Sequence, residues 1–394
     1  MAPASWPSPL SQSSSKLSNH QDSGSPWSSI MDGTTLEDVA RQLSDLEVAL
    51  FLCLAAREHC LIETTSDAIH DLAKELALIC SGTFDLSYSI VDCGSATSIE
   101  EIYNEILTAD ARKVQIRPSY SRVKTGSSSN VSSYVTGHQE RSKSPIPGGQ
   151  ADEPNVAHII IAKNLNLSNE DIQVQVIQLM RTRKLVTEVG LLHAPQDFMF
   201  VPLVVQDYYG QNPLLNVHLR DQLFISHFHE AANGYVYLEE NDWLSDGQIS
   251  ASSVIHTPKH SQKKTAKVSP VTMDQLRGAV SSVTTSAEVV RYIQDIVVFL
   301  RLSRAVAGGV SARANSQFGN FAKLLAPLHG IDYLTPSIVA LAARKVFRHR
   351  IIVASPDNDR SLNYGSNRDA IAQVLADVTP DSILDGVLDL EPPI

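Results

Sequence analysis

The sequence predicts an α/β fold with a parallel sheet, followed by a region that consists of helices alone. Up to residue 229, short apolar strand patterns alternate with helix-period segments, and from residue 272 onward only helix patterns occur. Strands that alternate with helices are typical of a parallel sheet covered by helices. The chain has 394 residues, of which 43% are hydrophobic, so it can bury the core of one large or two ordinary domains.

The elements of the first part follow from the spacing of their apolar residues. Helices place apolar residues three or four positions apart, whereas buried strands are short apolar runs rich in β-branched residues. The predicted helices are 36–58, 67–80, 99–107, 171–183 and 214–223. The predicted strands are 59–62, 86–93, 158–161, 198–205 and 224–229. In the second part the predicted helices are 272–282, 286–305, 313–328, 335–347, 367–377 and 380–387.

Three segments are predicted to be disordered, namely 1–32, 118–154 and 246–270. They are rich in Ser and Pro and poor in aliphatic residues, so they bury too little apolar surface to offset the entropy of ordering. They divide the chain into a tail, a first folded part that carries an insertion, a linker and a second folded part.

Composition argues against several classes of protein. A formal net charge of −11 is unsuited to a general nucleic-acid binder, which needs a basic surface. No apolar run approaches the roughly 18 residues of a membrane span, and the amino terminus lacks the pattern of a secretory signal. Four cysteines lie in apolar surroundings without CxxC spacing, which predicts buried reduced thiols in an intracellular protein, cytoplasmic or nuclear.

The segment 308–351 carries the most specific motifs of the chain. Its first motif is Gly-Val-Ser-Ala-Arg-Ala at 309–314, its second is Gly-Ile-Asp-Tyr-Leu-Thr-Pro at 330–336, and it closes with Phe-Arg-His-Arg-Ile at 347–351. Ser311 is a predicted helix N-cap, and Thr335 with Pro336 predicts the start of another helix. This segment closely resembles the helical lid of AAA+ ATPases of the MoxR and magnesium-chelatase subunit I type.

The resemblance implies an AAA+ parallel-sheet core followed by an all-α lid. It divides the chain into a disordered tail (1–32), a core (33–245, with the insertion 118–154), a linker (246–270), a lid (271–352) and an acidic extension (353–394). It also implies ATP and Mg²⁺ as cofactors, and rings of subunits that remodel partners or insert metal ions. The resemblance places Arg313 at the lid position that senses the γ-phosphate, with Ser311 beside it; without a phosphate site opposite it, we interpret Arg313 as structural.

The family's phosphate-binding loop follows the first strand, and its residues are missing here. Such a loop needs glycines whose backbone N–H groups surround phosphate and a Lys that neutralises it. The chain has no Gly between Gly33 and Gly82, and the first Lys after the strand is Lys74. Three acidic residues of this stretch, Glu63, Asp67 and Asp71, would repel a triphosphate. We therefore predict a strand-to-helix turn here, capped by Thr or Ser.

The catalytic positions of the family are also replaced. An Asp that holds Mg²⁺ and a Glu that polarises water are expected after the third strand, where Ala162 and Lys163 stand. The polar sensor falls near Val205 or Gln206, and the arginine that reaches a neighbouring subunit is replaced by Gln222. Arg220 is near in sequence but is expected to face another direction.

Two further clusters leave alternatives open. The run His-Phe-His-Glu at 227–230, with His218 nearby, could provide zinc ligands or simply strand-end histidines. The basic run at 344–350 could meet an acidic partner or nucleic acid, or it could pair with the acidic tail. We assign no catalytic residue and no metal ligand.

The sequence therefore favours a pseudo-ATPase that does not hydrolyse ATP, has no cofactor, and acts as a scaffold or regulatory partner of another protein. That partner could be an active AAA+ subunit or ring. The alternative is an ATP-dependent magnesium-chelatase-like subunit or remodelling chaperone that uses atypical residues, so enzymatic activity is left open. Under this alternative, Arg313 and Ser311 are the residues expected to contact ATP. Membrane partners are not expected, and a nucleic-acid adaptor that uses 344–350 is the least favoured reading.

Overall fold

The computed structural model describes residues 35–107, 156–187, 190–206, 215–240, 267–389 and 392. The predicted disordered segments 1–32 and 118–154 lie outside the described residues, as does 246–266 of the predicted linker. The last residues of that linker are ordered, which corrects the prediction. Val268 is buried against the core, and the side chain of Ser269 accepts a hydrogen bond from the backbone N–H of Thr272 to cap the next helix.

Within the described residues, nine strands belong to one large and two small sheets. They are β1 (His59–Thr64), β2 (Tyr88–Asp92), β3 (Ile159–Lys163), β4 (Lys184–Thr187), β5 (Gly190–His193), β6 (Met199–Val205), β7 (Leu223–Phe228), β8 (Val306–Gly308) and β9 (Ile352–Val353). The large sheet has the order β2-β3-β6-β1-β7, and all of its neighbouring strands are parallel. The predicted parallel sheet is confirmed, and each of its five strands overlaps a predicted one.

Thirteen α-helices are found in the described residues. They are α1 (Leu36–Gln42), α2 (Asp45–Ala56), α3 (Ile69–Gly82), α4 (Ile99–Ile106), α5 (Glu170–Thr182), α6 (Val217–Gln222), α7 (Val236–Glu240), α8 (Pro270–Ser282), α9 (Ala287–Leu302), α10 (Ala312–Leu328), α11 (Pro336–Phe347), α12 (Arg368–Leu375) and α13 (Pro380–Leu388).

The large sheet is sandwiched between two hydrophobic cores. Alternate residues of β1 point to opposite faces, so Cys60 and Ile62 enter one core and Leu61 enters the other. The first core contains α2, α3 and most of the helices after residue 270, and the second contains α4, α5 and α6. This three-layer arrangement is the predicted α/β core.

The helical region packs directly on the sheet. Phe321 of α10 contacts Phe224 of β7 with a ring distance of 5.3 Å, and Phe318 contacts Phe347 at 5.1 Å. The predicted caps are confirmed, since Ser311 caps α10 and Thr335 with Pro336 begins α11. Because these contacts join α10, α11 and the edge strand β7, the helical region and the sheet share one continuous core.

The single helix predicted over 36–58 is wrong. Two helices occupy this range, because the hydroxyl of Ser44 accepts from the backbone N–H of Glu47 while the Glu47 carboxylate accepts from the N–H of Ser44. This reciprocal pair is a capping box, which starts a new helix at Asp45.

Several elements of the described residues were not predicted. β4 and β5 form an antiparallel hairpin between α5 and β6, and α7 follows β7. The prediction of helices alone after residue 272 is also incomplete, because β8 and β9 pair there as a two-stranded antiparallel sheet.

Two other predictions concern the cysteines and the possibility of membrane-spanning helices. The four cysteines are buried and free, as predicted. Among the helices of the described residues, none combines the length and apolarity needed to cross a lipid bilayer.

Candidate functional site

The turn that follows β1 is short and carries negative charge. Only four residues, 65–68, separate β1 from α3, and the backbone N–H of Ala68 donates to the carbonyl of Thr65 at 3.2 Å. A hydrogen bond from the Thr65 side chain holds the pKa of the exposed Asp67 carboxyl below its usual value. The predicted cap by Thr or Ser is wrong, because Ala68 occupies the N-cap position and no side chain bonds there.

Lys163 occupies the carboxyl end of β3, beside this turn. Its side chain is 7% exposed, and its Nζ atom donates to Asp92 Oδ2 at 2.8 Å. Asp92 ends the neighbouring strand β2 and stands opposite Lys163 in the register. The same Nζ lies 3.3 Å from Nδ1 of His70, in the first turn of α3. The carboxyl ends of two strands and the start of α3 therefore converge on one ammonium group.

The predicted sensor position lies at the same edge of the sheet. Val205 ends β6, and the backbone N–H of Gln206 donates to the carbonyl of Thr64 at 2.9 Å. Thr64 is itself fixed because its hydroxyl donates to the carbonyl of His229 at 2.8 Å. The structure thus brings this position next to the turn after β1 through a backbone hydrogen bond.

Arg313 and Ser311 lie elsewhere, near the amino ends of the strands. Arg313 Nη2 donates to Glu58 Oε2 at 3.1 Å, and Glu58 directly precedes β1. The hydroxyl of Ser311 donates to Asp221 Oδ1 at 2.6 Å, just before β7. Glu58 and Thr64 are separated by about 20 Å along the extended chain. Arg313 and the turn after β1 are therefore not brought together within this chain.

Gln222, which replaces the arginine that reaches a neighbouring subunit, and the nearby Arg220 lie in the last turn of α6. Gln222 is half-buried at the carboxyl end of the helix, and Arg220 is half-buried two residues earlier. Burial lowers the pKa of Arg220 below its usual value, and its Nε has no hydrogen-bond partner among the described residues. Both precede β7 and so lie near the amino ends of the strands, as Arg313 does.

The basic run at 344–350 is engaged within the chain. Arg344 pairs with Asp385, and Arg348 pairs with the buried Glu63 and with Asp381 at 3.1 Å. Both Asp residues belong to α13, so two of these pairs are the contacts with the acidic tail that the sequence suggested. The remaining members also face inward: Lys345 and His349 are buried, and Arg350 is 2% exposed and donates to the carbonyl of Phe224.

The histidines considered as zinc ligands are separated. His218 lies in α6 before β7, whereas His227 and His229 lie at the other end of that strand. His227 Nδ1 is 3.2 Å from Nζ of Lys345, and burial, followed by the Lys345 charge, lowers the His227 pKa well below its usual value. In the described ranges, no group of three or more His, Cys, Asp or Glu residues could hold a metal ion.

The sequence-based search missed Asp92 and His70 as members of this edge. Asp92 precedes Cys93 at the end of a predicted strand, so its position at a strand end was readable. What could not be read is that β2 and β3 are neighbours, which places Asp92 opposite Lys163.

Comparison with known proteins identifies the architecture. Residues 299–374 match the family model of the AAA lid domain. A solved structure from Cytophaga hutchinsonii, described as a candidate ATPase, superposes with a TM-score of 0.52 and 15% sequence identity, and the match covers 87% of this chain and 95% of that one. The chain has the AAA+ fold. At this identity the likeness concerns the fold alone, and the MoxR or magnesium-chelatase subtype stays a prediction.

Two curated relatives match a shorter stretch of the chain. Both are named Maintenance of telomere capping protein 2. The protein from Lachancea thermotolerans is 30% identical over 109 residues, which are 26% of this chain and 38% of the relative. The protein from Kluyveromyces lactis is 30% identical over 101 residues, or 24% of this chain and 37% of the relative. The chain thus matches less than half the length of either protein.

The AAA+ fold implies a Mg²⁺-bound nucleotide at the edge where β1 and β3 end, and the residues there do not fit it. Metal sites of this kind use carboxylate and hydroxyl oxygens, whereas Lys163 presents an ammonium group. The turn at 65–68 has neither the glycines nor the Lys of a phosphate loop, and Asp67 adds a negative charge. The buried Glu63 is already paired with Arg348. We therefore derive no chemical step through a nucleotide at this edge.

Proposed function

We propose that this protein is a pseudo-ATPase of the MoxR or magnesium-chelatase type that acts as a scaffold or regulatory partner of another protein. The main support is the ion pair between Lys163 and Asp92 at the ends of β3 and β2. ATPases of related architecture hold Mg²⁺ with an acidic residue after a core strand. A fixed ammonium at that place repels the metal ion and uses the nearest carboxylate for itself.

The turn after β1 supports the same proposal. Phosphate loops surround the nucleotide with backbone N–H groups from a glycine-containing loop of several residues. Here four residues join the strand directly to the helix, and one backbone N–H of the turn is already bonded to Thr65. The exposed carboxylate of Asp67 would face the phosphates of any nucleotide placed there.

The helical lid and its docking on the core support a scaffold role. The helical lid is docked on the core by the Arg348–Glu63 ion pair and by aromatic contacts such as that of Phe224 with Phe321. These contacts within the chain fix the position of the lid, so its outer surface has a fixed shape for another protein to bind. An active AAA+ subunit or ring is the partner that this fold suggests. The names of the two yeast relatives suggest maintenance of telomere capping as the process.

An ATP hydrolysis assay on the purified full-length chain tests the absence of turnover. We expect phosphate release in the presence of Mg²⁺ to equal the rate without protein, and Arg313→Ala to leave it unchanged. Turnover that is proportional to protein concentration and is lost in Arg313→Ala would support the alternative, an ATP-dependent chelatase-like subunit or chaperone with atypical residues.

The partner is tested by chemical cross-linking of the full-length chain in extracts, followed by mass spectrometry of the linked peptides. We expect links between exposed lid residues and a protein with intact nucleotide-binding motifs. If the cross-linked proteins all lack such motifs, the proposed pairing with an active AAA+ subunit is wrong.

A further inference from the structure

A cavity of about 400 Å³ lies between α6, the end of α9, β8 and the loop that leads to α10. Pockets for small molecules occupy about 300–1,000 Å³, so it is large enough for a compact ligand. It lies near the amino ends of the strands, away from the turn after β1. Its polar lining comes mainly from Arg220, Asp221, Arg301, Ser311 and Arg350.

The lining of this cavity is positively charged, although the chain as a whole carries −11. Three guanidinium groups face one carboxylate, which leaves two positive charges in excess. The carboxylate of Asp221 is already engaged, because it accepts from the hydroxyl of Ser311 at 2.6 Å and lies 3.9 Å from Arg350 Nε. The charge of the other two arginines is therefore not balanced inside the cavity.

The three arginines differ in how many hydrogen bonds their guanidinium groups make with other described residues. Arg350 is 2% exposed and donates to backbone carbonyls of β7 and to Gln317, so it acts as a fixed wall. Arg301 uses Nε to donate to the carbonyl of Val310 at 3.1 Å, and no other partner of its guanidinium is found among the described residues. Arg220 makes no hydrogen bond or ion pair within the described ranges, although its Nε is shielded from solvent.

The loop before α10 passes close to the backbone of Arg350, and this approach requires glycine at position 309. Gly309 has φ +95°, and a Cβ placed there would lie 1.9 Å from the backbone oxygen of Arg350. The chain can therefore pass close to Arg350 only with Gly at this position. This approach fixes the loop before α10 against the buried Arg350 and keeps Ser311 at the edge of the cavity.

We propose that this cavity binds the dianionic group of a phosphomonoester, with Arg220 and Arg301 as its direct ligands. Guanidinium groups match phosphate oxygens in a bidentate geometry, and a phosphate dianion balances the two excess charges. The phosphomonoester can come from a free metabolite or from a phosphorylated side chain of a protein. The proposal does not depend on the pseudo-ATPase function, because it concerns a different edge of the sheet.

Isothermal titration calorimetry on the full-length chain tests this site with three probes: inorganic phosphate, adenosine monophosphate, and a short peptide with one phosphoserine. We expect saturable binding of a phosphomonoester that Arg220→Gln and Arg301→Gln each weaken roughly 10-fold or more. Arg291→Gln is the matched control. Arg291 lies on α9, as Arg301 does, but it is exposed and has Asp295 as its ion-pair partner. Its binding should equal that of the wild type.

The comparison between probes distinguishes the sources. Tighter binding of adenosine monophosphate indicates a free metabolite, and tighter binding of the peptide indicates a phosphorylated protein. No saturable binding of any probe up to about 10 mM would overturn the proposal. Binding that persists unchanged in both Arg220→Gln and Arg301→Gln would also overturn it, provided that the melting temperatures show that both variants are folded.

Discussion

The Nζ atom of Lys163 lies 2.8 Å from a carboxylate oxygen of Asp92, where the neighbouring strands β3 and β2 end. The ammonium group is nearly buried and also lies 3.3 Å from His70. A lysine thus makes its contacts where an AAA+ ATPase would hold a metal ion. We propose that this ion pair takes the place of the metal ion at this edge of the sheet.

Replacing Lys163 with Ala should destabilise the fold by about 1–2 kcal/mol, measured by urea unfolding. The loss is moderate because Asp92 is 42% exposed and water can solvate its carboxylate again. Lys74→Ala is the control, since its pair with Asp71 is exposed on both sides and should contribute less than about 0.5 kcal/mol. Equal effects of the two substitutions would show that the Lys163 pair contributes no more than a surface contact.

Replacing Arg348 with Ala should lower the free energy of unfolding, measured in urea, by about 3–5 kcal/mol. The substitution leaves the carboxylate of Glu63 buried without its cation. Burial already raises the pKa of Glu63, and the Arg348 charge opposes that shift. Arg344→Ala is the control and should cost about 1 kcal/mol or less, since its pair with Asp385 is partly exposed.

A second substitution sharpens this test. Adding Glu63→Gln to Arg348→Ala should recover part of the lost stability, because a neutral amide is less costly to bury than an unpaired carboxylate. If the double variant is no more stable than Arg348→Ala alone, the loss does not arise from the buried charge.

Gly309→Ala should destabilise the protein by more than about 2 kcal/mol in urea unfolding. The added Cβ would lie 1.9 Å from the backbone oxygen of Arg350, and φ at this residue is +95°. Gly319→Ala is the matched control inside α10, where a Cβ meets no atom within 4 Å. That change should stabilise the protein by about 0.5–1 kcal/mol. Similar effects at both positions would contradict the close approach at Gly309.

The stability of the protein should fall as the pH is lowered from 6.5 towards 4, in part because of His59. Its Nδ1 accepts from the N–H of Phe200 at 3.1 Å, and burial lowers its pKa to about 4. Between these pH values the unfolded chain binds a proton that the folded protein does not. The contribution of His59 is therefore present above pH 6.5, and roughly 3 kcal/mol is lost on going to pH 4.

Melting temperatures between pH 7 and 4 measure this loss. His59→Gln should show a shallower decline than the wild type, because Gln keeps a donor and an acceptor but does not titrate. His193→Gln, at an exposed residue of β5, should leave the decline unchanged. An unchanged slope in His59→Gln would show that other groups determine the acid sensitivity.

Local patterns in the sequence were sufficient for most of the fold. The strands of the large sheet were readable because their apolar runs are short and bounded by turn residues, as in the run that ends at Lys163. The caps at Ser311 and Thr335 were readable because a cap depends on residues two or three positions apart. The break at Ser44 had the same kind of signal, a Ser followed three residues later by Glu47, and its long apolar surroundings concealed it.

The candidate sites were harder to predict, because they join residues that are distant in sequence. Arg348 and Glu63 are 285 positions apart, and no local spacing links them. Lys163 was recognised as a replacement, but its pairing with Asp92 depends on which strands are neighbours. The position of Arg313 at the other edge of the sheet likewise depends on how the lid docks, which residue patterns within the lid do not specify.

The most direct test is the equilibrium titration of the full-length chain with a fluorescent ATP analogue in the presence of Mg²⁺. With Lys163 at the end of β3 and a four-residue turn after β1, we expect no saturable binding up to about 1 mM at this edge. Weak binding at the cavity of Arg220 would be recognised because it persists without Mg²⁺ and is lost in Arg220→Gln. Saturable binding that requires Mg²⁺ and survives Arg220→Gln would contradict the pseudo-ATPase function.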